Sequence, residues 1–215
     1  MQLNLNQIEE ALNWRAAIKK YDTSKAATDS DLNLILEAGR MAPSSNGLEP
    51  WKFIVVRDEQ TRLKLREAAY GQPQVTDATF FLVLAAETDK DAVAQAAFER
   101  VAKSQNLKSD DPSLDGFKGM VNGAIGGMDQ ARFVEFAKQQ VFIALGFMLE
   151  AAALARIDAN PMGGFDHEKF DEILNLKDQN LTSAVIMGIG VRDESDGYLQ
   201  RPKFRNNLDA IVDYI

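Results

Sequence analysis

Gly39 to Val56, GRMAPSSNGLEPWKFIVV, joins a helix end, a polar corner and a strand. Pro43 stops the helix, Pro50 fixes an extended entry, and Trp51 to Val56 reads as a buried strand. Between the prolines, Ser44, Ser45, Asn46 and Gly47 offer hydroxyls, an amide and unencumbered backbone N–H groups, a set that suits a polar ligand such as a phosphate. Spacing alone also admits an ordinary helix-to-strand turn.

Toward the N-terminus, Thr28 with Asp31 predicts a capped helix, whose Leu32, Ile35, Leu36 and Gly39 recur at helical spacing and pack inward. Earlier still, Asn6 with Glu9 predicts a first helix carrying Ile8, Ala11 and Leu12 on one face. In WRAAIKKYD, Arg15 and Lys19 are four apart and share a face if the segment stays helical. Such a pair can grip a phosphate, or form a solvated charged face.

Toward the C-terminus, Asp58 caps a third helix with Leu63, Leu65, Ala68 and Ala69, and YGQPQ from Tyr70 to Gln74 breaks it. Gln72 and Gln74 place amides in that loop just before Thr79 to Ala86, an apolar strand. A polar helix is expected from Asp89 to Gln105, and irregular chain from Ser104 to Met128, where glycines recur. Asp129 to Ala155 holds the longest helical pattern, apolar on nearly every face from Val141 to Leu154. Its uninterrupted apolar run is short and carries Glu150, so burial in the protein or at a subunit interface is expected rather than a membrane span.

Ile157 to Phe165, IDANPMGGF, reads as a turn-rich stretch whose paired glycines can aim N–H groups at a ligand. Asp166 caps a helix with Phe170, Ile173 and Leu174, and His167 in its first turn reads as a surface residue. Thr182 to Val191 is a third buried strand. Its GIGVRD lacks the third glycine of a dinucleotide fingerprint. In PKFRNN, Lys203 and Arg205 alternate along an extended segment that leads to a short apolar tail, Leu208 to Ile215.

The 215 residues are expected to form one domain, residues 1–215, and 46% hydrophobic content supports a full-sized core. A net charge of −8 without a Lys/Arg block excludes an ordinary nucleic-acid binder. With no cysteine and one histidine, thiolate chemistry and multi-imidazole zinc sites are excluded. The start of the chain has no basic or apolar leader pattern, so a soluble cytoplasmic protein is expected.

Taken together, the pieces resemble the FMN-dependent nitroreductase family. Arg15, Lys19, Tyr21 and Asp22 match its early Arg-x-x-x-Lys-x-Tyr/Phe-Asp, and Pro43, Ser44, Ser45, Pro50 and Trp51 match its Pro-Ser-Ser…Pro-Trp corner. Ala137, Lys138 and Gln139 with Pro161, Gly164, Phe165 and Asp166 match a later signature, and Pro202, Lys203 and Arg205 a basic element. The resemblance implies an α+β fold, a mixed sheet wrapped by helices, in an intertwined homodimer with C-terminal strand exchange. It also implies FMN between subunits and NAD(P)H as reductant. Arg15, Lys203 and Arg205 are then the phosphate grip and Lys19 the cation at the N1/O2 ring edge. Ala16 and Ala17 lie near the phosphate, where the family often has polar side chains. Pro161, Met162, Gly163 and Gly164 approach the ring, Gln72 and Gln74 its pyrimidine edge or ribityl chain, and Pro43, Ser44, Ser45 and Asn46 come from the other subunit. Gln74 stands where several relatives have a lysine, which implies a lower reduction potential. Phe117 is a candidate substrate-stacking residue.

The implied activity is two-step transfer of hydride from NAD(P)H to a small-molecule acceptor, a nitroaromatic, a quinone or another flat molecule. No catalytic side chain or metal is needed, because the flavin carries the chemistry. The alternatives are a flavin-consuming or dehalogenating relative, or a flavin-binding dimer without turnover.

Overall fold

The computed structural model describes residues 4–215. Twelve regular elements organise those residues around one four-stranded sheet. Its strands are β1 (Trp51–Val56), β2 (Phe80–Glu87), β3 (Asp158–Met162) and β4 (Leu181–Gly190), in the order β1-β2-β4-β3. Every pairing is antiparallel, so within one chain the sheet is not mixed as expected. A strand donated by a second copy, the implied source of a further pairing, is not part of the single chain.

Both faces of the sheet are covered, which explains why β2 and β4 read as almost unbroken apolar runs. Alternation along β2 sends Leu82, Leu84 and Ala86 to one side and Phe81 and Val83 to the other. On the first side lie α2 (Asp29–Arg40) and α7 (Gln130–Leu154), contributing Leu32, Ile35, Val141, Ala144 and Met148. On the second lie α3 (Glu59–Ala68) and α8 (His167–Ile173), contributing Leu65, Ala68 and Phe170. The short α4 (Gln74–Asp77) leads into β2. A satellite cluster joins α5 (Lys90–Ser104), α6 (Asp115–Ile125) and the start of α7 through Val93, Ala97, Val121, Ile125 and Phe133.

The caps fall largely where expected. Thr28 and Asp31 make a reciprocal capping box, and Asp58, Asp89, Asp129 and Asp166 each accept a backbone N–H at the start of a helix. Helix α1 (Leu5–Trp14) is capped by Asn4 with Gln7 rather than by Asn6 with Glu9, because the same spacing occurs two residues earlier and its reciprocal bonds form there.

Several expectations are corrected. Ser104 to Met128 is irregular only outside α6, where Phe117, Val121 and Ile125 form a helical apolar stripe while Gly116, Gly119 and Gly123 meet nothing on the outer face. Ile157 to Phe165 contains the edge strand β3, where Pro161 costs no interior ladder bond. Strand β1 is the opposite edge and only half-buried, with Lys52 exposed. His167 is half-buried, its Nδ1 2.9 Å from the Ser183 carbonyl and its ring against Phe165.

Helix α7 is long and apolar enough to cross a membrane by length and composition alone, yet it packs along α2 and the sheet as a core helix. Its other face leaves Phe142, Ile143 and Phe147 exposed. Gly39 sets the approach of α2 to this helix: a Cβ there would overlap Met148 Cε and stand 3.0 Å from Phe53 Cε2. Gly39→Val is expected to lower stability by about 1–3 kcal/mol through overpacking, as measured by urea unfolding; an unchanged midpoint would show that the two helices are not closely packed there.

Candidate functional site

The segment after α1 leaves the helix. Arg15 is its C-cap with φ −56° and ψ 127°, so Arg15 and Lys19 do not share a helical face. Sheet-like pairing overrides the helical spacing: Asp22 N–H donates to the Val191 carbonyl at 2.8 Å, and Tyr21 forms a bridge with Arg192. At the other end, the Lys203 ammonium donates to the Leu12 and Asn13 carbonyls, closing the C-terminus of α1.

These two segments form the walls of an open cleft of about 640 Å³. Arg15, Arg192, Arg201, Lys203 and Arg205 line it together with Ala16, Ala17, Trp14 and Tyr198, and among the described residues none of the lining is acidic. In a protein of net charge −8 this is a strong local inversion. The cations feel one another. Burial and then the Arg205 charge hold Arg15 below its ordinary value, and Lys203 is lowered by burial and by Arg15, Arg205 and Arg192.

Lys19 is positioned through its backbone. Asp196 Oδ2 accepts the Lys19 and Lys20 N–H groups at 2.6 and 3.1 Å, while Oδ1 accepts Tyr198 N–H at 2.9 Å. Burial pushes this carboxyl up, but the three donors outweigh it and hold it below its ordinary value. The Lys19 ammonium lies 5.8 Å from the Tyr198 ring centroid, and the Arg201 guanidinium stacks on the same ring at 4.0 Å. Asp196, Arg192, Tyr198 and Arg201 were missed in the sequence reading. Arg201 alone had a legible signal, since 201, 203 and 205 alternate in one basic row.

Other candidates sit beside the cleft or apart from it. Gln72 Nε2 donates to the Gly164 carbonyl at 2.8 Å, tying the α3–α4 loop to the end of β3. Gly163 and Gly164 are exposed, and an added Cβ at either meets nothing within 4 Å. Pro161 and Met162 complete β3. Gln74 is buried in the first turn of α4, and its Oε1 has no hydrogen-bond partner.

The corner from Pro43 to Asn46 is not on the cleft wall. Ser45–Gly47 make a 3-10 turn, and Asn46, Gly47 and the following Glu49 have positive φ. Its carbonyls at Gly47 and Leu48 accept from Arg100, and Ser45 N–H donates to Gln140 Oε1 at 2.9 Å. Gln140, rather than the signature's Gln139, thus ties the corner to α7. Phe117 packs edge-on to Phe98 at 6.0 Å in the α5–α6 cluster and does not line the cleft.

Residues 12–190 match the family model described as the Nitroreductase family. A Staphylococcus saprophyticus protein, SSP0379, provisionally named an NAD(P)H nitroreductase, is 32% identical over 97% of this chain and 96% of its own. Among solved structures, Bacillus subtilis ydfN, provisionally named a nitroreductase, superposes with a TM-score of 0.84 at 25% identity, covering 99% of this chain and 100% of that one. A protein from Exiguobacterium sibiricum, described as a nitroreductase-type structure in complex with FMN, gives 0.80 at 19% identity, covering 100% and 99%, and so shares the fold.

Burial and then the Arg15, Arg205 and Arg192 charges depress Lys203, so removing one of those charges is expected to raise its pKa. Arg205→Gln is expected to move the Lys203 titration upward in an NMR pH series; no movement would mean that the two cations do not share the cleft.

Proposed function

The chain belongs to the nitroreductase family, and from that membership we propose that it is an FMN-dependent oxidoreductase, taking reducing equivalents from NAD(P)H and passing them to nitroaromatic, quinone or similar flat acceptors. The observation that carries this reading is the cleft, lined by five cations and no carboxylate. Such a set fits a phosphate dianion, and the solved FMN complex of a protein with the same fold supports the choice of group. Arg15, Lys203 and Arg205 would hold the phosphate, with Ala16 and Ala17 forming an apolar wall beside it.

When bound, FMN supplies hydride transfer in two steps, first from the nicotinamide and then to the acceptor. The chain's own residues bind, orient and tune. Asp196 fixes the Lys19 backbone, so that the Lys19 cation can stand at the ring edge where negative charge accumulates on reduction. Gly163 and Gly164 leave room for close backbone approach, and Gln72 steadies that turn by holding the Gly164 carbonyl.

A second copy completes the site in this reading. Phe142, Ile143 and Phe147 on α7 leave an apolar stripe, with Gly146 open beside it, and Phe204, Leu208, Ile211 and Tyr214 are exposed along the C-terminal segment. A homodimer packed on α7, with each tail laid over its partner, would cover both and bring the partner's Pro43–Asn46 corner to the flavin.

Two measurements test the proposal. An anaerobic absorbance spectrum with FMN is expected to bleach on one equivalent of NADH or NADPH and to recover on adding a quinone or nitroarene. Failure to bind FMN overturns the site, while binding without reduction by either nicotinamide overturns the activity. Phe147→Glu is expected to give a monomer by light scattering, with FMN affinity lost in parallel; an intact dimer would place the interface elsewhere.

A further inference from the structure

The GIG of β4, which has no dinucleotide role, has a steric one. Gly188 and Gly190 are two apart and face the same side of the sheet. A Cβ on Gly190 would lie 2.7 Å from Tyr21 Cδ1, and one on Gly188 would lie 2.8 Å from Tyr21 Oη. The two glycines are a slot cut for the Tyr21 ring. Across the β3–β4 ladder Asn160 stands opposite Gly188 and Asp158 opposite Gly190, so their side chains flank the slot. The Gln74 carbonyl lies 3.4 Å from the same Gly188 position, which brings α4 to its rim.

Around this slot the polar groups are deeply buried. Tyr21 and Gln74 are 3% exposed and Asn160 is 0% exposed, yet Gln74 Oε1 and both ends of the Asn160 amide have no hydrogen-bond partner among the described residues, and the Tyr21 phenol has none beyond an approach by the Asn160 backbone N–H. Native proteins rarely leave such groups unmade. The neighbouring charges are engaged elsewhere: Asp158 accepts from the Arg192 backbone N–H and Nε, and Arg62 Nε and Nη2 donate to the Val75 and Ala78 carbonyls. Burial, and then the Asp158 charge, raises the Tyr21 phenol far above its ordinary value, so it stays a neutral donor. The unmet groups are a phenol O–H, an amide NH2 and two amide oxygens, a mixture of donors and acceptors that water can join.

We propose that Tyr21, Asn160 and Gln74 build an internal water-binding site, roofed by the Gly188–Gly190 slot, that pins the segment Lys19–Asp22 to the end of β3. Tyr21 lies two residues beyond Lys19, and Asn160 immediately precedes Pro161–Gly164. On the proposed function, which this consequence rests on, the bridge sets the distance between the two segments that would meet the flavin. Tyr21 and Asn160 are then positioning residues, acting through water and backbone rather than by touching the cofactor.

The test uses Tyr21→Phe, Asn160→Leu and the double variant. If water bridges the two side chains, each single change strands a partner and lowers the melting temperature by about 2–4 °C or more. The double variant, which removes both partners together, is expected to lose less than the sum. A Tyr21→Phe variant that melts higher than the parent, with additive effects in the double, would overturn the site. So would a high-resolution crystal structure of the parent with no water within about 3.2 Å of Tyr21 Oη. As the positioning readout, Tyr21→Phe is expected to weaken FMN binding although the phenol makes no cofactor contact; unchanged affinity would remove the positioning role. A parent that binds no FMN would sink the proposed function, while the melting and crystallographic results would still decide the water site.

Discussion

A buried ion pair holds together the part of this protein where chemistry is expected. Asp158, at the start of β3 and 5% exposed, accepts the Arg192 backbone N–H and Nε, each at 2.8 Å, and lies 2.6 Å from Nη2. The same guanidinium stacks 4.0 Å from the Trp14 ring centroid. One side chain thereby joins the end of α1, the edge strand and the chain leaving β4. Taking two charges out of water is costly, and such a pair repays that only with satisfied geometry. Here the backbone bond adds satisfaction on the carboxylate side and the aromatic face covers the cation, while Nη2 approaches Asp158 as an ion pair without a hydrogen bond of its own. Breaking such a pair by removing one partner typically costs about 3–5 kcal/mol. Its value is in fixing where the cleft walls meet.

From that joint the rest follows by geometry. Arg192 is held in place and turns the chain toward Asp196, which captures the Lys19 and Lys20 N–H groups. The segment then runs on as a basic row to Lys203, whose ammonium returns to the end of α1. The loop is closed by charge-assisted bonds at both ends, which restrain the cleft walls. Pre-organisation of this kind reduces the ordering cost of binding.

How much of this was legible in the sequence varied with the range of the interaction involved. The caps at Thr28, Asp58 and Asp166 were readable because a cap is a bond between near neighbours in sequence. The apolar strands β2 and β4 were readable because burial on both faces leaves no polar alternation. Helix α6 was hidden by its own glycines, which lie on the outer face and say nothing about the stripe beneath. Strand β3 was hidden by Pro161, which is tolerable only on an edge, and edge position is a property of the whole sheet. Arg15, Lys203 and Arg205 were named from a resemblance, but their meeting depends on Asp158 and Asp196, whose partners lie 34 and more than 170 residues away. No local pattern carries such contacts.

The cleft's electrostatics carry one further consequence. Burial first, and then the mutual repulsion of Arg15, Lys203 and Arg205, disfavours their charged forms in the cleft, which is the direction in which Arg15 and Lys203 are shifted. That repulsion is not relieved by a carboxylate in the wall, because none is there. An anion entering the cleft gains its own hydrogen bonds and also removes the mutual repulsion of its hosts. By linkage, whatever free energy the anion gains in the folded cleft appears as added stability of the fold. A chain arranged in this way is therefore poised to be more stable with an anionic ligand than without one. The chain's net negative charge disfavours such a ligand elsewhere, so one cleft would serve as both binding site and stabilising joint.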